Sequence, residues 1–192
     1  MRDGIAPRPA RLGDDFYRRD ALVVAPDLLG KVVCRRDDAG VIRRGRIVEA
    51  EVYRGEEDTA CHARFGRTKR AEVLYLAGGV AYVYLCYGIH RMLNVVTGPG
   101  EMPQAVLIRA LAPANHCGQT PMAQPPSMVG PGRLTKALGI TLDDNRADLR
   151  TSSRLWIEDD GNGPENIMTS PRIGIGYASA QDQARLWRFT VS

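Results

Sequence analysis

The chain has 192 residues, 44% hydrophobic and 25% charged, which is the make-up of one globular domain and not of a disordered segment. Its net charge of +4, from 26 basic and 22 acidic residues, suggests a polyanionic partner only weakly. No apolar run approaches the ~18 residues of a membrane span, no apolar segment follows Met1-Arg2-Asp3-Gly4, and the four cysteines (Cys34, Cys61, Cys86, Cys117) form no CxxC, so a membrane protein, a secretory signal and a zinc knuckle are disfavoured.

Residues 1–19 are polar, with Pro7, Pro9 and several arginines, and read as a loosely held N-terminal arm. Asp20 reads as an N-cap for a short helix over Ala21–Leu29, broken or restarted near Pro26 and stopped by Gly30. Lys31–Arg36 and Arg46–Tyr53 read as strands around an Asp37-Asp38-Ala39-Gly40 turn. In the second strand Ile47, Glu49, Glu51 and Tyr53 share one parity, and Val48, Ala50 and Val52 the other. A polar stretch over 54–70 carries the basic run Arg64, Arg67, Lys69 and Arg70. Ala71–Ala77 suggests a helical turn, and Val80–Tyr87 a strand with Tyr82, Tyr84 and Cys86 on one face. Met92–Thr97 and Gln104–Ala110 are further strands. Residues 112–131 hold five of the 12 prolines and no charge, and read as a loop. A short helix over Arg133–Leu138 follows, and Leu155–Glu158, Arg172–Ile175 and Trp187–Val191 look like the last strands. Many strands with few, separated helices give an α+β class with a mixed or antiparallel sheet.

Several residues could carry chemistry. Glu49 and Glu51 on one strand face are either a solvated face or a general base in a dry pocket, and Tyr53 beside Glu51 favours that residue. Tyr82, Tyr84 and Tyr87 crowd six residues of a chain with only 12 aromatics. They read as strand core or as a stacking site for a nucleobase, which His62 could join. Arg109 interrupts an apolar strand and needs a partner if buried, either structural or at Glu51. Asn94 caps a turn or reads a polar ligand edge. Gly130-Pro131-Gly132-Arg133 opens a helix where backbone N–H groups could hold a phosphate, a weak signal alone. No nucleotide-binding loop and no metal-ligand spacing is found, and with three lysines a Schiff-base mechanism has few candidates.

Taken in order, Arg46-Ile47-Val48-Glu49-Ala50-Glu51-Val52-Tyr53, Gly55-Glu56-Glu57-Asp58, His62, Ala81-Tyr82-Val83-Tyr84-Leu85-Cys86-Tyr87-Gly88, Leu93-Asn94-Val95-Val96, Val106-Leu107-Ile108-Arg109-Ala110-Leu111, Gly130-Pro131-Gly132-Arg133-Leu134 and Ser170-Pro171-Arg172-Ile173-Gly174 resemble the alkyladenine (3-methyladenine, methylpurine) DNA glycosylases. The likeness runs from about Asp20 to Ser192. It implies a single α+β domain over 20–192 with a curved, mainly antiparallel sheet and peripheral short helices. It implies a monofunctional enzyme of base excision repair that flips a damaged purine out of duplex DNA and hydrolyses the N-glycosidic bond with water, leaving an abasic site.

By the same resemblance Glu51 is the general base and Arg109 helps it hold the water. Tyr53, His62, Tyr84 and Asn94 bind the base, Asn94 by crowding a guanine-type amine. Tyr87 intercalates in the gap left in the duplex, and backbone around Ile173 and Gly174 forms another wall. The expected partner is double-stranded DNA with damaged purines, acted on by a monomer without metal, cofactor or membrane. The expected location is the cytoplasm with the nucleoid in a bacterium, or the nucleus in a eukaryote. Two other readings stay open on the residues alone: a non-catalytic nucleic-acid-binding module, and a carbohydrate hydrolase using Glu49 and Glu51 as its acid pair.

Overall fold

Residues 9–114 and 127–192 are described by the structure, a computed structural model. In chain order their elements are β1 (Ala10–Arg11), α1 (Asp14–Tyr17), α2 (Ala21–Leu28), β2 (Val32–Arg36), β3 (Ile42–Arg54), β4 (Ala81–Cys86), β5 (His90–Val96), β6 (Gln104–Pro113), α3 (Pro131–Leu138), β7 (Leu155–Asp159), β8 (Ile167–Ser170), α4 (Ala180–Ala184) and β9 (Arg188–Val191). Single 3-10 turns lie at His62–Phe65, Glu72–Tyr75 and Leu142–Asp144.

All strand pairs are antiparallel, in the order β1-β7-β2-β3-β6-β5-β4, with β8 and β9 attached to β3 through β9. The class is α+β, a curled half-barrel sheet with few short helices, as the sequence leads one to expect. The 13-residue β3 is its spine: one edge pairs β6, while the other pairs β2 through Ile42–Arg46 and then β9 through Glu49–Glu51.

Where that edge changes partner, the register with β6 slips twice. Ile47 faces Leu111, Glu49 faces Ala110 and Ala50 faces Ile108, so Val48 and Arg109 each stand without an opposite number. Such bulges bend a strand and re-aim its side chains. Ile47, grouped by simple parity with Glu49, thereby joins Ala50 and Val52 in the main core.

That core lies under α2 and α3, where Ala21, Val24, Ala25 and Leu28 meet Leu134, Leu138, Val106 and Ile108. Alternation along the strands sends Tyr82, Val96 and Ala105 to the other face, where they pack with Cys61, Val73, Leu74 and Tyr75. Tyr53 and Tyr84 sit half-buried against this second cluster. This second face therefore carries aromatics on an apolar base.

Four details differ from the sequence reading. The helix α2 is continuous through Pro26, because its buried stripe holds it to the sheet and the Asp20 carboxylate accepts from the Leu22 N–H at 2.9 Å, a cap worth ~1 kcal/mol. Residues 9–19 of the expected arm pack closely: β1 pairs β7, and Tyr17 is wholly buried. Residues 1–8 lie outside the described residues. The strand expected at Arg172–Ile175 falls instead at Ile167–Ser170, and 171–174 is irregular. Finally, β6 runs on to Pro113 and Val129 bridges Ala110, while residues 115–126 of the expected loop lie outside the described residues.

Candidate active site

Glu51 is completely covered, with 0% of its surface exposed. Its Oε1 accepts the Ile173 N–H at 2.7 Å, and its Oε2 accepts the Tyr53 O–H at 3.0 Å and Arg109 Nη1 at 3.1 Å. Burial raises its pKa above the ordinary carboxylate value, and the Arg109 charge, the Ile173 N–H and the Tyr53 hydroxyl each pull it back down. Arg109 also holds Glu49, with Nε 3.2 Å from Oε1, and the same oxygen takes Arg188 Nε at 2.6 Å. Glu49 is thus bound to two arginines, and of the two carboxylates on this strand face it is Glu51 that is walled in beside the cleft. Ile173, Tyr53 and Arg109, which cover Glu51, are themselves lining residues.

Two connected hollows make up the cleft. The inner one is lined by Tyr53, Cys61, His62, Tyr82, Tyr84, Asn94 and Tyr177 among others. The outer one, about 500 Å³, shares Tyr53, His62, Tyr84 and Tyr177 and adds Tyr87, Arg109, Pro131 and Ile173. The fold therefore brings Glu51, Arg109, Tyr53, His62, Tyr84, Asn94 and Tyr87 to one place from β3, β4, β5, β6 and the 62–65 turn.

The aromatic walls are ordered by polar contacts. His62 Nδ1 lies 2.9 Å from the Tyr82 hydroxyl, and its ring meets Tyr84 edge-on at 4.7 Å between centroids. Burial first, then the Arg70 and Arg64 charges, depress the His62 pKa to about 4, so the imidazole is neutral at neutral pH. Asn94 is buried and its Nδ2 donates to the Tyr82 carbonyl at 3.1 Å, which fixes the amide in the lining of the inner hollow.

Tyr87 tops the β4–β5 hairpin. The Ile89 N–H bonds the Cys86 carbonyl at 3.1 Å, and Tyr87 and Gly88 both have positive φ, 51° and 70°. These are the marks of a type I′ turn, whose first central place favours Asn, Asp or Gly. A tyrosine there is strained and 88% exposed, and its ring stands free at the cleft mouth.

Three features are absent from the sequence-based set. Tyr177 lines both hollows, its hydroxyl donating to the Ala60 carbonyl at 3.0 Å. Arg188 reaches Glu49 from the last strand. Asp58 and Arg172 form a fully buried ion pair beneath Tyr53. The Gly-Tyr pair at 176–177 and the Gly-Glu-Glu-Asp run were visible, but nothing local ties them to residues over 100 positions away. The helix start at Gly130-Pro131 does reach the cleft through Pro131, and no side chain caps it. Among the described residues, no cluster of three or more His, Cys, Asp or Glu side chains is arranged to hold a metal, and no helix is long and apolar enough to cross a membrane.

The family model for methylpurine-DNA glycosylase matches residues 15–192. A protein of Anaeromyxobacter dehalogenans is 45% identical over 182 residues, 94% of this chain and 82% of its own. One from Borrelia garinii is 43% identical over 179 residues (92% and 93%), and one from Chlamydia pneumoniae 41% over 187 residues (92% and 92%). Each carries the name 3-methyladenine DNA glycosylase as a provisional assignment.

Proposed function

Because the chain belongs to the methylpurine-DNA glycosylase family, we propose that Glu51 is the general base with which it releases alkylated purines from DNA. It is a 3-methyladenine DNA glycosylase of base excision repair, and its substrate is damaged DNA. The observation that carries the assignment is a buried carboxylate with three donors, set behind a cleft lined by tyrosines and a histidine.

The chemistry follows from charge. A purine methylated at N3 or N7 is cationic, and the faces of Tyr53, Tyr84 and Tyr177 attract a flat cation. A neutral His62 adds no repulsion. Oε1 of Glu51 holds one donor and keeps a lone pair for a water that enters with the flipped nucleotide. The water oxygen bonds the sugar C1′, and Glu51 takes its proton. The C1′–N bond breaks, and its electron pair goes to the purine, which leaves neutral and needs no proton. The negative Glu51 also stabilises an oxocarbenium-like sugar. General-base action contributes about 10²–10⁴-fold.

Arg109 keeps the base ionised, Asn94 limits what enters the inner hollow, and Tyr87 fills the gap left by the flipped nucleotide. Unstacking costs a few kcal/mol, least for damaged bases. Every one of these groups comes from one chain, so a monomer suffices, and the work is done wherever the cell keeps its DNA. The test is chromatography of bases freed from methylated duplex DNA with no metal or cofactor added. Release of 3-methyladenine supports the assignment. Tight binding of the duplex with no release would turn it into a non-catalytic binding module.

A further inference from the structure

We propose that the buried Asp58–Arg172 pair is a positioning element for base release, fixing the Ile173 N–H against Glu51. The inference rests on the reading of Glu51 as general base. Residues 171–174 leave β8 without joining a ladder, and Gly174 has φ +79°, so no strand pairing sets the direction of the Ile173 N–H. That N–H nonetheless meets Glu51 Oε1 at 2.7 Å.

The residue before it is held through both terminal nitrogens of its guanidinium. Arg172 Nη1 and Nη2 fork the two Asp58 oxygens at 2.7 and 2.8 Å, and Nη1 also donates to the Val52 carbonyl at 2.8 Å. Val52 separates Glu51 from Tyr53, so the fork is tied to β3 at the site itself. The guanidinium lies 4.9 Å from the Tyr53 ring and 5.0 Å from the Trp187 ring. Asp58 in turn accepts the Arg54 N–H at 3.2 Å and the Ala60 N–H at 3.1 Å.

Stability is a poor reason for this arrangement. Both side chains are 0% exposed, and taking two charges that deep consumes most of what their attraction returns. Arg172 Nε is buried with no partner, a further cost. A bidentate fork does supply direction, because it fixes a plane as well as a distance. Here that direction is handed to the next amide.

The charged and titratable groups facing Glu51 are Tyr53 and Glu49 from β3, Arg109 from β6, Arg188 from β9 by way of Glu49, and Arg172 itself. Arg172→Lys keeps the positive charge and loses the fork, so its effects report geometry and not charge. Asp58→Asn keeps the shape and is the second variant. Each is measured for cooperative unfolding, for binding of damaged duplex, for single-turnover base release against pH, and for Glu51 ionisation from its ¹³C carboxyl resonance without DNA.

In either folded variant the proposal expects unchanged binding and release slower by on the order of 10²-fold. In Arg172→Lys, where the charge is kept, the acidic limb and the Glu51 resonance should both move up by about one pH unit, as loss of one donor to the carboxylate requires. A lower melting temperature with limb and resonance unmoved would overturn it, as would failure of both variants to fold, which would assign the pair to stability. The resonance keeps the two readings apart. If it moves while wild type frees no base, the reading of Glu51 as catalyst fails and the positioning stands; if wild type frees bases and it does not move, only the positioning fails.

Discussion

Arg109 reaches Glu51 from a bulge on the neighbouring strand, placing Nη1 3.1 Å from Oε2 while its Nε holds Glu49 at 3.2 Å. One guanidinium thus bridges two carboxylates and offsets part of the burial that raises the Glu51 pKa. Burial already holds the Glu51 pKa above its ordinary value, so base release should rise with pH as the carboxyl ionises. Arg109→Gln should push that rise to higher pH and slow release by about 10²-fold or more. A pH–rate profile of the variant lying on that of wild type would remove Arg109 from this role.

The hairpin tip gives a prediction with two opposite signs. Tyr87 stands at φ 51°, where an L side chain costs roughly 1–2 kcal/mol, so Tyr87→Gly should melt no lower than wild type. The same change removes the exposed ring, so release from duplex DNA should drop while cleavage of a free methylated nucleoside is spared. Equal losses on duplex and nucleoside would contradict a wedge.

His62 links the cleft to acid stability. Its folded pKa, about 4, lies below the ordinary 6.5, so between these values the unfolded chain takes up a proton that the folded chain refuses. Its contribution is complete above pH 6.5 and shrinks as pH falls towards 4. Melting temperature should therefore decline more steeply over that window in wild type than in His62→Gln. Parallel declines would mean that His62 is not held neutral.

Leaving-group charge predicts the order of substrates. Glu51 is a base, and neutral His62 is a poor acid at neutral pH, so the site is suited to a base that departs without a proton. 3-Methyladenine should leave faster than hypoxanthine from matched duplexes, and the gap should widen as pH rises. Equal single-turnover rates at high pH would point to an acid that this account lacks.

Much of this site was legible because strands write their faces in alternate residues. Parity put Glu51 with Tyr53, and Tyr82 with Tyr84, and the Asp20 cap announced α2. What escaped was non-local. The double register slip at Val48 and Arg109 depends on how β3 exchanges β2 for β9, which no window of sequence contains, and it moved Ile47 to the core. The early residues looked loose because they are polar, but Leu12 and Tyr17 supply the apolar anchors that a short strand and a single helical turn need. Arg172 looked like part of a strand. Its partner Asp58 lies 114 positions earlier, and only the closed fold shows that its charge is buried and paired.

The most direct measurement compares wild type with Glu51→Gln on methylated duplex DNA, following both bound duplex and freed base. Wild type should free methylated purines, while the variant binds the same duplex and frees essentially none. Base release by Glu51→Gln at a rate near wild type would contradict the assignment, since the neighbouring carboxylates are engaged elsewhere: Asp58 is forked by Arg172, and Glu49 is held by Arg109 and Arg188.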